Sequence, residues 1–148
     1  MEDIVRKTAT HLFEFLRKEK EKHGKVTDEA LSLLNCLFPT MLVHSLDLVD
    51  RKFITKFLTP AKREFFQVKG SSGIPYCCFP SCSYCSCPSY LYTVLLKKEA
   101  MLCKHLLAME LAIALDDFIT REISDEEFVA YVAYETESPV KKEEKSRN

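Results

Sequence analysis

Tyr84-Cys85-Ser86-Cys87-Pro88 and, with fifteen residues between Cys87 and Cys103, Cys103-Lys104-His105 are the stretches whose reading decides the fold. In an extended backbone successive side chains alternate, so the two thiols of Cys85-Ser86-Cys87 point to the same side and can close on one ion. Cys103 and His105 have the same spacing. Inside an α-helix, positions two apart diverge by about 200°, so this second pair belongs at a helix entrance. A helical apolar pattern does begin there, running through Leu106, Leu107, Met109, Leu111, Ile113 and Leu115 to about Asp117. Three thiols and one imidazole make the tetrahedral donor set that zinc takes in closed, structural sites.

The cysteine count supports a metal over a disulfide frame. There are seven, an odd number, and five of them lie between Cys77 and Cys87. The N-terminal Met1-Glu2-Asp3-Ile4-Val5-Arg6-Lys7 lacks the apolar stretch of a signal peptide, so a reducing compartment is expected. Cys82 stands at zinc spacing from Cys85 and could compete as a ligand or lie beside the site as an extra thiol. As a redox Cys-x-x-Cys it lacks a βαβ context. Cys77 and Cys78 are neighbours in a strand-like run, so at most one is expected to face inward. Cys36, in an apolar helix, is expected in the core. His11, His23 and His44 are scattered, with surface or core roles.

Outward from the cysteines, short runs rich in aromatic and β-branched residues read as a meander: 51–58, 64–69 and 75–79, bounded by Thr59-Pro60 and Gly70-Ser71-Ser72-Gly73. Before them come helices. Residues 2–22 are amphipathic, with Ile4, Thr8, Leu12, Phe15 and Leu16 on one face, and Gly24 ends them. Thr27 is a candidate N-cap for a second helix, with Val26 and Leu31 stapling its start and Pro39 stopping it. A third helix covers about 41–48. After the meander, 90–97 reads as a short helix. Ser124-Asp125-Glu126-Glu127 is a capping box, with Ile123 and Phe128 placed to staple it. Residues from Ser138 are polar and read as disordered. The expectation is an α+β fold: N-terminal helices, a small antiparallel β-meander, a zinc-bound ββα-like finger and C-terminal helices. The divisions expected are 1–50, 51–117, 118–137 and 138–148.

Cys-x-Cys followed by Cys-x-His at a helix start resembles the SWIM-type zinc finger. Ala108, three residues after His105, matches a small alanine of one SWIM subfamily and would let the helix lie close to the Cys-x-Cys turn. Leu46-Asp47-Leu48-Val49-Asp50-Arg51, Gly70-Ser71-Ser72 and Cys82-Ser83-Tyr84-Cys85-Ser86-Cys87-Pro88 extend the likeness. Over about residues 44–112 the chain is similar to the SWIM-domain subunits of Shu-type recombination complexes. The resemblance implies one structural zinc ion on Cys85, Cys87, Cys103 and His105. It implies a RecA-like ATPase paralogue as partner, action on the recombinase machinery, contact with single-stranded DNA through the complex, and residence in the nucleus. The only basic run, Lys141-Lys142-Glu143-Glu144-Lys145, is a poor localisation signal by itself.

Zinc binding worth about 10–16 kcal/mol in small fingers stands against a typical domain stability of ~5–15 kcal/mol. Loss of one ligand is therefore expected to unfold the turn and release the helix after it. Four protein ligands leave no open position for substrate, so catalysis and a small-molecule substrate are not expected. There is no His-Glu-x-x-His, and the glycines Gly24, Gly70 and Gly73 cannot form a P-loop. No apolar run approaches the ~20 residues of a spanning helix.

Charge is uneven although the net is only -1. Residues 51–104 carry nine Lys/Arg against two acids, and 105–148 carry five against eleven. That basic middle also holds Phe53, Phe57, Tyr76, Tyr84, Tyr90 and Tyr92, which opens a second reading: direct binding of single-stranded nucleic acid. The competing view puts those rings in the core. Helix 103–117, apolar on more than one side, is open to two readings too, a partner-binding face or an internal helix.

Overall fold

A computed structural model describes residues 2–136. The tail read as disordered, 138–148, lies outside the described residues. The chain is α+β, as expected. Helices α1 (Glu2–His23), α2 (Asp28–Leu37) and α3 (Leu42–Asp50) come first. Strands β1 (Ile54–Leu58), β2 (Glu64–Lys69), β3 (Pro75–Phe79) and β4 (Tyr84–Cys85) form the antiparallel meander. A π-helical turn, Tyr90–Leu96, then leads to α4 (Lys104–Leu115), β5 (Ile119–Glu122) and α5 (Asp125–Thr136).

The local signals behave as their chemistry demands. Thr27 caps α2, its Oγ1 accepting from Ala30 N at 3.3 Å. Gly24, at φ +71°, ends α1. The Ser124–Glu127 capping box is closed in both directions, at 2.8 and 3.1 Å. Ile123 and Phe128 both pack on the same aromatic cluster.

Strand β5 is the element not foreseen. It pairs in parallel with β1 and makes the sheet mixed, in the order β4-β3-β2-β1-β5. Its residues Ile-Thr-Arg-Glu are all exposed, so no alternation of apolar and polar residues marked it. It is a strand because α4 delivers the chain to the open edge of β1.

The sheet is covered on both faces. Adjacent residues in one strand go to opposite sides, so Phe66 and Val68 join the main core with α1 to α4, while Phe65 joins a second cluster with Phe57 and α5. Cys77 and Cys78 divide in the same way. Both are buried, which corrects the expectation that at most one would face inward: a sheet covered twice has two interiors. Cys36 is exposed rather than core, because α2 is buried along Ala30 and Leu34. Helix α4 is the centre of the larger core. Leu106, Leu107, Met109 and Leu111 are all buried, as in the internal-helix reading, while Ile113 on the same helix is exposed.

Candidate metal centre

The Cys-x-Cys turn is held extended by the strand beside it. Cys78 pairs with Cys85 across the β3–β4 hairpin. Ser86 continues the pairing: its N–H donates to Cys77 O at 3.0 Å, and its Oγ accepts from Cys77 N at 3.0 Å. With Ser86 fixed outward, Cys85 and Cys87 turn to the same side. Pro88 and the π-helical turn follow, and Tyr90 N–H donates to Cys87 Sγ at 3.3 Å.

The second pair sits at the helix entrance, as its spacing required. Cys103 is the N-cap of α4 in extended conformation, and its sulfur accepts from Leu106 N at 3.4 Å. His105 lies in the first turn. Ser45 of α3, fully buried, donates to Lys104 O at 2.9 Å and so anchors that turn from behind.

Cys85, Cys87, Cys103 and His105 come together. One ligand atom from each lies within 4.8 Å of the others, and all four residues are buried. In a tetrahedron with zinc–sulfur bonds of ~2.3 Å and zinc–nitrogen bonds of ~2.0 Å, neighbouring ligands stand about 3.5–3.8 Å apart. Cys85 Sγ to His105 Nδ1 is 4.0 Å, close to that edge. The donor set therefore fits a zinc ion after small adjustments. Among the described residues no other group of this kind forms. Cys82 is exposed in the turn before β4, outside the four. His11, His23 and His44 are not part of the group.

The electrostatics favour a cation. Hydrogen bonds from Cys103 and Cys85 hold the Cys87 thiol well below its ordinary range. Hydrogen bonding to Cys85 and Cys87 pushes the Cys103 thiol up. Three thiols this close cannot all ionise unless a positive ion lies among them.

The histidine is set by its surroundings. Nδ1 faces Cys85, which leaves Nε2 to carry the proton of a metal-bound imidazole. Nε2 is buried and has no hydrogen-bond partner among the described residues. Tyr76 lies against the ring, with centroids 4.7 Å apart. A Cβ at Gly70 would stand 3.0 Å from Tyr76 Cε2 and 3.6 Å from His105 Nε2, so glycine is needed there for close approach. Sequence reasoning took Gly70 only as a turn residue. It also missed Cys78, fully buried and paired with Cys85 across the β3–β4 hairpin. The hairpin register that places Cys78 opposite Cys85 was the signal for it, and register is not local.

Comparison with known proteins bears on this geometry. The chain is 35% identical over 130 residues to zinc finger SWIM domain-containing protein 7 of Danio rerio, covering 88% of this chain and 93% of that protein. This chain belongs to the zinc finger SWIM domain-containing protein 7 family. The Mus musculus member is 39% identical over 113 residues, covering 76% of this chain and 74% of that protein. A Dictyostelium discoideum homologue is 34% identical over 115 residues, covering 77% and 74%. No family model matches the chain, and no solved structure matches it. The family name speaks of a zinc finger, and this SWIM-family chain gathers three buried cysteines and a buried histidine that could hold one.

Proposed function

We propose that this chain is a non-enzymatic zinc-binding adaptor. It pairs with a RecA-like ATPase paralogue in the nucleus and promotes assembly or stability of recombinase filaments on single-stranded DNA, in homologous recombination repair and meiosis. One zinc ion on Cys85, Cys87, Cys103 and His105 holds the Cys-x-Cys turn to the start of α4. When bound, that ion supplies crosslinking of two distant stretches of chain, not activation of water. The observation that carries the reading is the burial of all four ligand residues in a complete four-donor set, which leaves no accessible coordination position for a substrate. The partner and the pathway rest on the family resemblance.

The alternative, direct binding of single-stranded nucleic acid by the basic middle, has less in its favour. Phe57 and Tyr90 are buried, Phe53, Tyr76 and Tyr84 are packed against the core, and Tyr92 alone of the six rings stands exposed. Lys56 pairs with Glu64 and Lys52 with Asp117. Stacking on bases needs open ring faces.

The test is recovery of partners from cells with wild-type and His105→Ala bait. A RecA-like paralogue recovered with wild type alone supports the adaptor. Recovery of none by wild type, together with a salt-dependent shift of labelled single-stranded DNA by the purified chain alone, would replace it with the alternative.

A further inference from the structure

Most of α4 is buried, with Ile113 its one exposed apolar side chain, whereas four exposed apolar side chains cluster on the π-helical turn Tyr90–Leu96. Leu91, Tyr92, Leu95 and Leu96 are 46%, 57%, 49% and 65% exposed. The turn is wound wide: Lys97 N–H donates to Tyr92 O, five residues back, at 2.9 Å. In that winding, residues four and five apart are neighbours, so Leu91, Leu95, Leu96 and Tyr92 form one stripe. Contiguous exposed apolar side chains of this kind often mark an interaction site. The opposite side is already used, since Tyr90 is buried and Val94 packs on the core.

The charge at its end says what covers it. Lys97 and Lys98 are exposed and have no ion-pair partner among the described residues. Lys98, at φ +53°, reverses the chain, so that Glu99 and Ala100 both donate to Thr93 O and the two lysines are fixed at the rim. Glu99 is the only acid from 90 to 100, so the rim stays net positive. A second copy docked face to face about a two-fold axis would bring these lysines together, which is unfavourable. Seven uncharged residues followed by two lysines make a short apolar surface, a poor membrane anchor by itself. An aliphatic stripe with one exposed ring offers little to a nucleic-acid strand.

We infer that Leu91, Tyr92, Leu95 and Leu96 form the docking stripe for a partner protein that presents an apolar strip bordered by Asp or Glu, which meet Lys97 and Lys98. This rests on the adaptor reading and gives it a surface. The stripe is tied to the candidate metal centre, because Tyr90, the buried first residue of the turn that carries it, donates to Cys87 Sγ. Docking therefore depends on the integrity of the zinc site without touching it.

A photoreactive benzoylphenylalanine in place of Leu96, in the full chain in cells, reads the occupant. The expected product is a crosslink to an apolar segment of another protein bordered by acidic residues. Tyr92→Ser with Leu96→Ser should lower recovery of that protein at least tenfold at unchanged zinc content and melting temperature. Lys97→Glu with Lys98→Glu, which removes no packing, should lower it severalfold and weaken its dependence on salt. Crosslinks to a second copy, to lipid or to nucleic acid, no crosslink at all, or wild-type recovery by both double variants would overturn the stripe. The adaptor reading fails separately: a crosslinked, acid-bordered partner that is not a RecA-like ATPase would leave the docking stripe standing and the proposed partner wrong.

Discussion

The two faces of the sheet are built on different principles. On one, Phe66, Val68, Cys78 and Cys85 meet α1 to α4, and the polar centre of that packing is the three-thiol, one-imidazole group. On the other, aromatic rings do most of the packing, with Cys77 and Ile123 among them. Phe57 stacks on Phe65 with centroids 4.9 Å apart, and Tyr131 of α5 lies 5.1 Å from Phe65. The first face needs something from outside the chain, a cation that lets crowded thiols ionise together. The second is complete in itself. Two layers folded from one short chain can thus depend on solution conditions to very different degrees.

The largest expected effect follows from taking the ion away. Chelation, or His105→Ala, should remove stabilisation on the order of 10 kcal/mol. The turn after β4 and the start of α4 should then open, seen as lost zinc by elemental analysis and lost helical signal. Acid should do the same, because thiolates and neutral imidazole are the ligands and zinc competes with protons for them. If the chelated chain keeps its full helical signal and melting temperature, the two faces do not differ in the way described.

Phe65→Ala attacks the other face. It should cost about 3–5 kcal/mol, read by denaturant unfolding, while the fraction that remains folded keeps its full zinc content. Coupled loss of zinc would show that the faces are not independent.

The adjacent cysteines sharpen the contrast within a single strand. Cys78→Ala should weaken metal affinity roughly tenfold, since it removes a buried thiol paired with Cys85 across the hairpin. Cys77→Ala, one residue away and on the ring-packed side, should leave affinity unchanged and cost about 1 kcal/mol of stability. Competition against a chromophoric chelator distinguishes them.

The smallest effect lies on the helical face, where α4 meets α1. Glu110 of α4 lines a cavity of about 310 Å³ against α1, together with Phe13, Met101 and Ile113. Burial pushes its carboxyl above the usual range. The folded chain therefore holds this proton more tightly than the unfolded one, and stability falls as pH rises from the unfolded value through the raised folded value. Glu110→Gln should be more stable than wild type above that window and lose the advantage as pH falls into it. Melting curves at several pH values check the sign.

Much of this was legible in the chain itself. Cys103-x-His105 had to sit at a helix entrance because two residues of α-helix would turn the ligands apart, and Cys103 is the N-cap. Thr27 and Ser124 announced their helices by capping chemistry that acts over three residues. Strands β2 and β3 lie where composition and flanking turns put them. Cys36 was misjudged because an apolar helix does not say which stripe is buried, and β5 because an edge strand of exposed residues has no pattern of its own.

What the sequence by itself determined was therefore everything that rests on near neighbours: the two candidate ligand pairs and their spacing, the caps, the turns and most of the strands. Tertiary structure alone decided that the sheet has two interiors, that Cys78 lies beside the candidate ligand Cys85, that α4 is mostly buried and that Leu91, Tyr92, Leu95 and Leu96 are exposed. The reason is that burial and strand register are set by contacts between distant parts of the chain, and these leave no mark on the spacing of residues within any one element.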